Sequence, residues 1–176
     1  MALSKIDAAN FLTGTIPQGN VANASLNAVT ALPAAIATGK VLQVVTALDG
    51  TNRATTSETF GLNSSTLTLN ITPSATSSKI LVTCSAMLYI GGQAARLTIF
   101  RDSTNLASAT APEDSFVTMD GDGNYGAVSG MHFLDSPSTT SAVNYQIRFR
   151  NNQGSTTTTM PFRSALGVLT AYEIGA

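Results

Sequence analysis

The sequence predicts an all-β fold: an antiparallel jelly-roll sandwich of about eight strands, preceded by an extended or short-helical N-terminal anchor. Two observations predict it. Short runs in which apolar and polar residues alternate recur from Gly39 to the C-terminus, and clusters of Gly, Pro, Asn, Asp and Ser separate them. No stretch of the chain sustains a helical period long enough to compete, so sheets must supply the core.

Composition bounds the rest. At 176 residues the chain has room for one domain and a tail. Charged residues are 11% of it, against roughly 25% in average soluble domains, while 25 threonines and 18 serines carry most of the polarity. Nine basic residues against ten acidic ones give no electrostatic reservoir, so nucleic acid and anionic lipid are not expected partners. The single cysteine, Cys84, can form neither an intrachain disulfide nor a thiolate metal site. No window approaches the ~20 apolar residues of a membrane span, and the first residues lack the apolar core of a signal peptide; membrane insertion and export are not expected.

Residues 1–38 read as an anchor or stalk, poor in aromatics and punctuated by Gly14, Pro17, Gly19 and Pro33. Phe11, Leu12 and Ile16 are its first apolar contacts. Leu26, Val29 and Leu32 then follow a cap at Asn23 or Ser25 in three-residue steps, one or two helical turns that Pro33 stops. So short a stripe needs a neighbour to hold it, because isolated helices of ~12–15 residues are already marginal in water.

Residues 39–176 form the second domain, and its strands can be named in order. "KVLQVVTAL" comes first; "TLTLNI" then sets Leu67, Leu69 and Ile71 against Thr66, Thr68 and Asn70, a strand with one wet face. After the turn "PSATSS" come "KILVTCSAMLYI", "ARLTIFRD", "TNLASAT", "GAVSGMHFLD", "AVNYQIRFRNN" and "ALGVLTAYEI". The clean polar face of "VNYQIRFR", made by Asn144, Gln146, Arg148 and Arg150, predicts a peripheral strand.

Other strands are apolar on both faces. Ile80, Val82, Cys84, Ala86 and Leu88 make one side of the long strand, and Leu81, Met87 and Tyr89 the other. Met131 and Phe133 oppose His132 and Leu134, and Leu169 and Ala171 oppose Leu166, Val168, Tyr172 and Ile174. A two-layer sandwich covers one face of each sheet, so the second apolar face must meet another copy of the chain. Leu81, Met87, Tyr89, Met131, Phe133 and Leu169 are therefore the expected interface of a homo-oligomer, most simply a cyclic one.

Catalytic and metal-binding patterns are weak. In "MDGDGNYG", Asp120, Asp122 and Asn124 alternate like calcium ligands, but Tyr125 and Met131 stand where an EF-hand loop needs Gly and a bidentate acid. The Asp-Gly repeats are read instead as a tight connection between strands, and no metal or other cofactor is expected. His132 and Cys84 both lie mid-strand and are expected to be structural, buried residues. Glu113, Asp114, Asp120 and Asp122 share one loop, and glycosidase chemistry asks for two nearby carboxylates; such pairs sit on rigid elements in a cleft, however, and the chain is not expected to be an enzyme. Three long polar loops, 49–65, 111–126 and 151–164, combine rings and cations with small polar residues: Arg53 and Phe60, Phe116 and Tyr125, Phe162 and Arg163. That mixture suits contacts with sugar or protein.

"GKVLQVVTA" (39–47), "LTLNITPSATSSKILVTCSA" (67–86), "FLDSPSTTSAVNYQIRF" (133–149) and the closing "LTAYEIGA" (169–176) closely resemble bacteriophage tail-fibre and virion-fibre tip domains. The phrase "FLTGTIPQGNVANASLNAVTALP" is similar to the Gly-Thr-Ile-Pro linkers that precede such tips, although the long shaft of the larger fibres is missing. The resemblance implies a homotrimeric jelly roll of the tumour-necrosis-factor-like type, packed about an axis by apolar sheet faces. It implies a structural protein on the virion, made in the host cytoplasm and joined by its N-terminal segment to a tail, baseplate or capsid protein. Its head would adhere to a host-surface glycan or protein; a capsid decoration protein or head fibre, or a glycan-cleaving tip, are the alternatives.

Overall fold

The computed structural model describes residues 40–61, 67–92, 94–108, 114–121 and 124–175, within the compact unit Thr38–Ala176. The anchor residues Phe11, Leu12, Ile16, Leu26, Val29 and Leu32 lie outside the described residues.

Two antiparallel sheets face one another. The first runs β1 (Val41–Asp49), β11 (Gly167–Ile174), β4 (Lys79–Ile90) and β8 (Tyr125–Asp135). Two short strands, β2 (Arg53–Thr55) and β10 (Thr158–Met160), continue β1 and β11 along the far end of β4. The second runs β3 (Thr68–Ile71), β9 (Val143–Asn151) and β5 (Ala94–Arg101), with β6 (Thr104–Asn105) and β7 (Val117–Asp120) sharing the outer edge of β5.

Alternation builds the core. Ile80, Val82, Cys84, Ala86, Leu88 and Ile90 of β4 pack with Leu169 and Ala171 of β11 against Leu97 and Ile99 of β5 and Tyr145, Ile147 and Phe149 of β9. All are at least nine-tenths buried. A buried polar group left unpaired costs ~1–3 kcal/mol, and the charged one in this layer, Asp135, is fully paired. Asp135 takes both oxygens to Arg101 Nη1 at 2.9 Å and accepts the Tyr145 hydroxyl at 2.6 Å.

The register corrects two expectations. β9 is not peripheral: β3 pairs with it on one side and β5 on the other, and Gln146 and Arg150 on its polar face are buried. A chain segment crosses that face, as described below. Second, Met131, Phe133 and Leu169 do not face outward. Met131 and Leu169 both pair with Cys84, and Phe133 with Val82, so all three share the inward side of β4. Leu169 is wholly buried and Met131 is 6% exposed. The period of two separates the faces of each strand, and only the register with β4 says which face is inside.

Candidate functional site

Strand direction gives the domain two distinct ends. Lys40 stands at one, where its carbonyl accepts the Gly175 N–H at 2.8 Å, together with the β3–β4 and β8–β9 connections. β1 runs away from it to Asp49, which pairs with Gly167 at the opposite end. There β4 also ends, Tyr125 of β8 lies opposite Ile90, and Asp120 of β7 lies opposite Ala94 of β5. Consequently residues 49–55, 120–121, 124–125 and 151–164 share the end remote from Lys40.

Close backbone packing holds that end together. Gly91 donates to Thr157 O at 2.8 Å, and a Cβ on Gly91 would come within 2.5 Å of the same oxygen. Gly92 adopts φ +103°, a left-handed value that only glycine takes easily. The β4–β5 turn is thereby fitted against residues 152–157, which Asn151 organises from within by accepting from Gln153 N and Thr156 Oγ1 and donating to Thr158 Oγ1.

Of the six expected contact residues, Arg53, Tyr125, Phe162 and Arg163 lie at this end, whereas Phe60 and Phe116 pack along the flanks of the sandwich, so the six do not form one patch. Phe162 leaves the ladder between Thr159, opposite Tyr89, and Val168, opposite Ser85, and stacks on Tyr89 with ring centroids 4.6 Å apart. Exposed Arg163 lies 5.3 Å above the Phe162 ring with φ +56°, an unusual value for a residue with a Cβ. Tyr125 is exposed, and its hydroxyl donates to Asp120 O at 3.0 Å. Phe116, by contrast, is half-buried against Phe133, 5.3 Å between centroids, and packs on the core. Arg53 sits 3.7 Å from the Asp49 carboxylate. Phe60 lies on the opposite flank, over the second sheet.

That second flank holds an arrangement not anticipated from the sequence. Arg148 lies 3.9 Å above the ring of Phe100, Phe60 meets Phe100 edge-on at 6.2 Å, and Arg150 stands 5.3 Å from the Phe60 ring. The segment carrying Phe60 is tied down along β9: Ser57 O accepts Asn151 N at 2.9 Å and Glu58 O accepts Arg150 Nη1 at 2.9 Å. The signal available was the pairing of cations on one strand with an aromatic on the next, but a register was needed to bring them together.

The first sheet's outward face carries no charged residue and is apolar except for a row of Thr and His and for Ser85. Rows across it read Val44, Tyr172, Leu81 and Leu134; Thr46, Thr170, Thr83 and His132; Leu48, Val168, Ser85 and Gly130; then Met87 and Val128. Leu48 is 57% exposed, Val128 74% and Leu134 52%. These rows contain no Asp, Glu, Lys or Arg, and Lys79 stands at their rim, donating to Ser136 Oγ. Leu81, Met87 and Tyr89 therefore do face outward, beside Leu134 and beside Val44, Leu48 and Val128, which sequence reading had not placed on this face.

His132 is likewise exposed on this face, opposite Thr83, and not buried as expected. Cys84 points the other way into the core, where burial pushes its thiol up to about 12, so it stays protonated and on the opposite side of the sheet from the imidazole. Asp114 and Asp120 are exposed; Glu113 and Asp122 lie outside the described residues, and Asp120 ends a strand of one sheet while Tyr125 begins a strand of the other. Among the described residues no three His, Cys, Asp or Glu side chains cluster to hold a metal, and no helix is long and apolar enough to cross a membrane. No protein-family model matches this chain, and no curated protein matches it significantly.

Proposed function

We propose that this chain is a bacteriophage virion protein, a short fibre or tip, whose residues 39–176 form a homotrimeric jelly-roll head that adheres to the host surface. The observation that carries the reading is the outward face of β1, β11, β4 and β8, which has no charged side chain in its rows and exposes large aliphatic groups. Seven large aliphatic side chains, Val41, Leu42, Val44, Leu48, Val128, Leu134 and Leu166, are 47–74% exposed, and all but Leu166 lie on strands of this sheet. Covering each contributes about 1 kcal/mol, so several copies meeting over this face gain enough to offset the ~4–15 kcal/mol cost of association. The strand order β1-β11-β4-β8 facing β3-β9-β5-β7 supports a jelly roll. Threefold rather than twofold order is taken from the resemblance to fibre tips.

The two ends support the polarity of the particle. With residues 1–38 fixed to another virion protein at the Lys40 end, the loop residues at the opposite end point outward to the host, and three weak sites on one rigid head act together through avidity. Sedimentation of the purified chain tests the assembly: three copies are expected, and a single copy at every concentration overturns it. Excess free protein should block adsorption of phage to cells. Intact adsorption with fragile capsids after deletion of the chain would replace adhesion by capsid decoration, and release of reducing sugar from host polysaccharide would replace it by catalysis.

A further inference from the structure

We propose that protonation of His132 opens the assembly closed over the first sheet, so that the head holds together at about pH 7.5 and separates into single subunits at about pH 5. The inference rests on the multi-subunit reading and adds a control to that interface. His132 is the only histidine in the chain, and an imidazole is the one ordinary side chain that changes charge across this range.

Its place in the sheet makes the charge matter. His132 is exposed on β8, opposite Thr83 of β4. Leu134 follows two residues along the same face and Val128 precedes by four, both exposed, so the imidazole stands inside the aliphatic patch. Whatever covers those side chains covers it too. Thr83 is flanked on that face by Leu81 and Ser85, and the rows continue through Thr170 and Tyr172 of β11 to Val44 and Thr46 of β1. No carboxylate stands among them to hold a cation. Asp135, three residues further along β8, is buried on the other side of the strand, where Arg101 and Tyr145 engage its oxygens. The cation bordering the rows, Lys79, donates to Ser136 Oγ and would repel a second positive charge. Among the described residues His132 has neither an ion pair nor a hydrogen bond from its ring.

Those surroundings decide the sign. A closed assembly takes the ring out of water and offers it no anion, which disfavours the charged form, so the closed state holds fewer protons than free subunits. Association is therefore favoured where the ring is neutral and weakens as pH falls. Each subunit contributes one ring, so an opening trimer takes up as many as three protons and the change is steep in pH. The fold keeps its own buried carboxylate charged at that pH: burial would raise the pKa of Glu173, but hydrogen bonds from Ser74 and Gln43 outweigh it and hold the value down to about 2.

Sedimentation of the full-length protein at about pH 7.5 and about pH 5, at equal ionic strength, tests this. The wild-type assembly should have a dissociation constant at least tenfold higher at the lower pH. His132→Gln, which carries no charge at either pH, should give the same dissociation constant at both. His132→Lys, charged at both, should sediment as a single copy throughout while keeping the far-ultraviolet circular dichroism of the wild-type strands. Equal association of the wild type at both pH values, an equal acid response in His132→Gln, or a His132→Lys protein that assembles as tightly as the wild type overturns the switch and leaves the multi-subunit reading standing. A wild-type protein that is a single copy at both pH values and every concentration fails that reading, and the switch with it.

Discussion

Glu173 shows how a single side chain can make the fold sensitive to acid. It is 1% exposed, and its carboxylate accepts Ser74 N at 2.7 Å, Ser74 Oγ at 2.6 Å and Gln43 Nε2 at 2.6 Å. Burial alone would raise its pKa, but these hydrogen bonds to the charged form outweigh it and hold the value down to about 2. A carboxyl whose folded pKa lies below its unfolded value stabilises the protein above the unfolded pKa, and that contribution is lost as pH falls through about 4 towards 2. Its ceiling is roughly 3 kcal/mol. Glu173→Gln should lower stability at pH 7 by about 1–3 kcal/mol and flatten the decline between pH 5 and 2; urea unfolding at pH 7 and pH 3 would show both effects. The Asp135 site gives a second comparison. Arg101→Gln leaves a 5% exposed carboxylate without its cation and should cost about 2 kcal/mol, less than a fully buried pair because the Arg101 side chain is 27% exposed. Tyr145→Phe removes one neutral donor and should cost about 1 kcal/mol.

Among the elements, the segment over β9 behaves as a strap, and Phe60 is its fastening. The ring is half-buried between Phe100 and Arg150, so Phe60→Ala should cost about 1–2 kcal/mol, below the ~3–5 kcal/mol of a fully buried ring. Limited proteolysis should then cut within 56–61 while β9 stays protected. The same strap explains where sequence reading stopped. β4 was legible from end to end because twelve residues alternate without a break between a turn and Gly91. β9 alternates just as well, but its polar face is covered by a segment some 90 residues away, which local pattern cannot convey. β2, β7 and β10 went unread because they are three or four residues long and Thr-rich or polar, paired only by register with longer neighbours. Met131 and Phe133 were given the wrong side for a related reason: both faces of β8 carry large apolar groups, and only its pairing with β4 decides between them.

For the whole molecule, the open question is what covers the first sheet, and substitutions there separate folding from assembly. Val128 is 74% exposed on the edge strand β8, beside Met87. In a free subunit Val128→Lys touches little and should change stability by no more than ~0.5 kcal/mol, because its ammonium stays in water. Within an assembly closed over this face, the same lysine would be buried without a partner, and the complex should dissociate. Folding linked to association also makes the melting temperature depend on concentration. The wild-type protein should therefore melt lower on each tenfold dilution, while Val128→Lys sediments as one copy with a melting temperature indifferent to dilution. Lys40→Gln, at the end of the domain and outside these rows, should keep the wild-type behaviour. If wild type and Val128→Lys give the same mass and the same dilution-independent melt, the apolar rows of β1, β11, β4 and β8 are open to solvent in the native protein, and the case for a multi-subunit head fails with them.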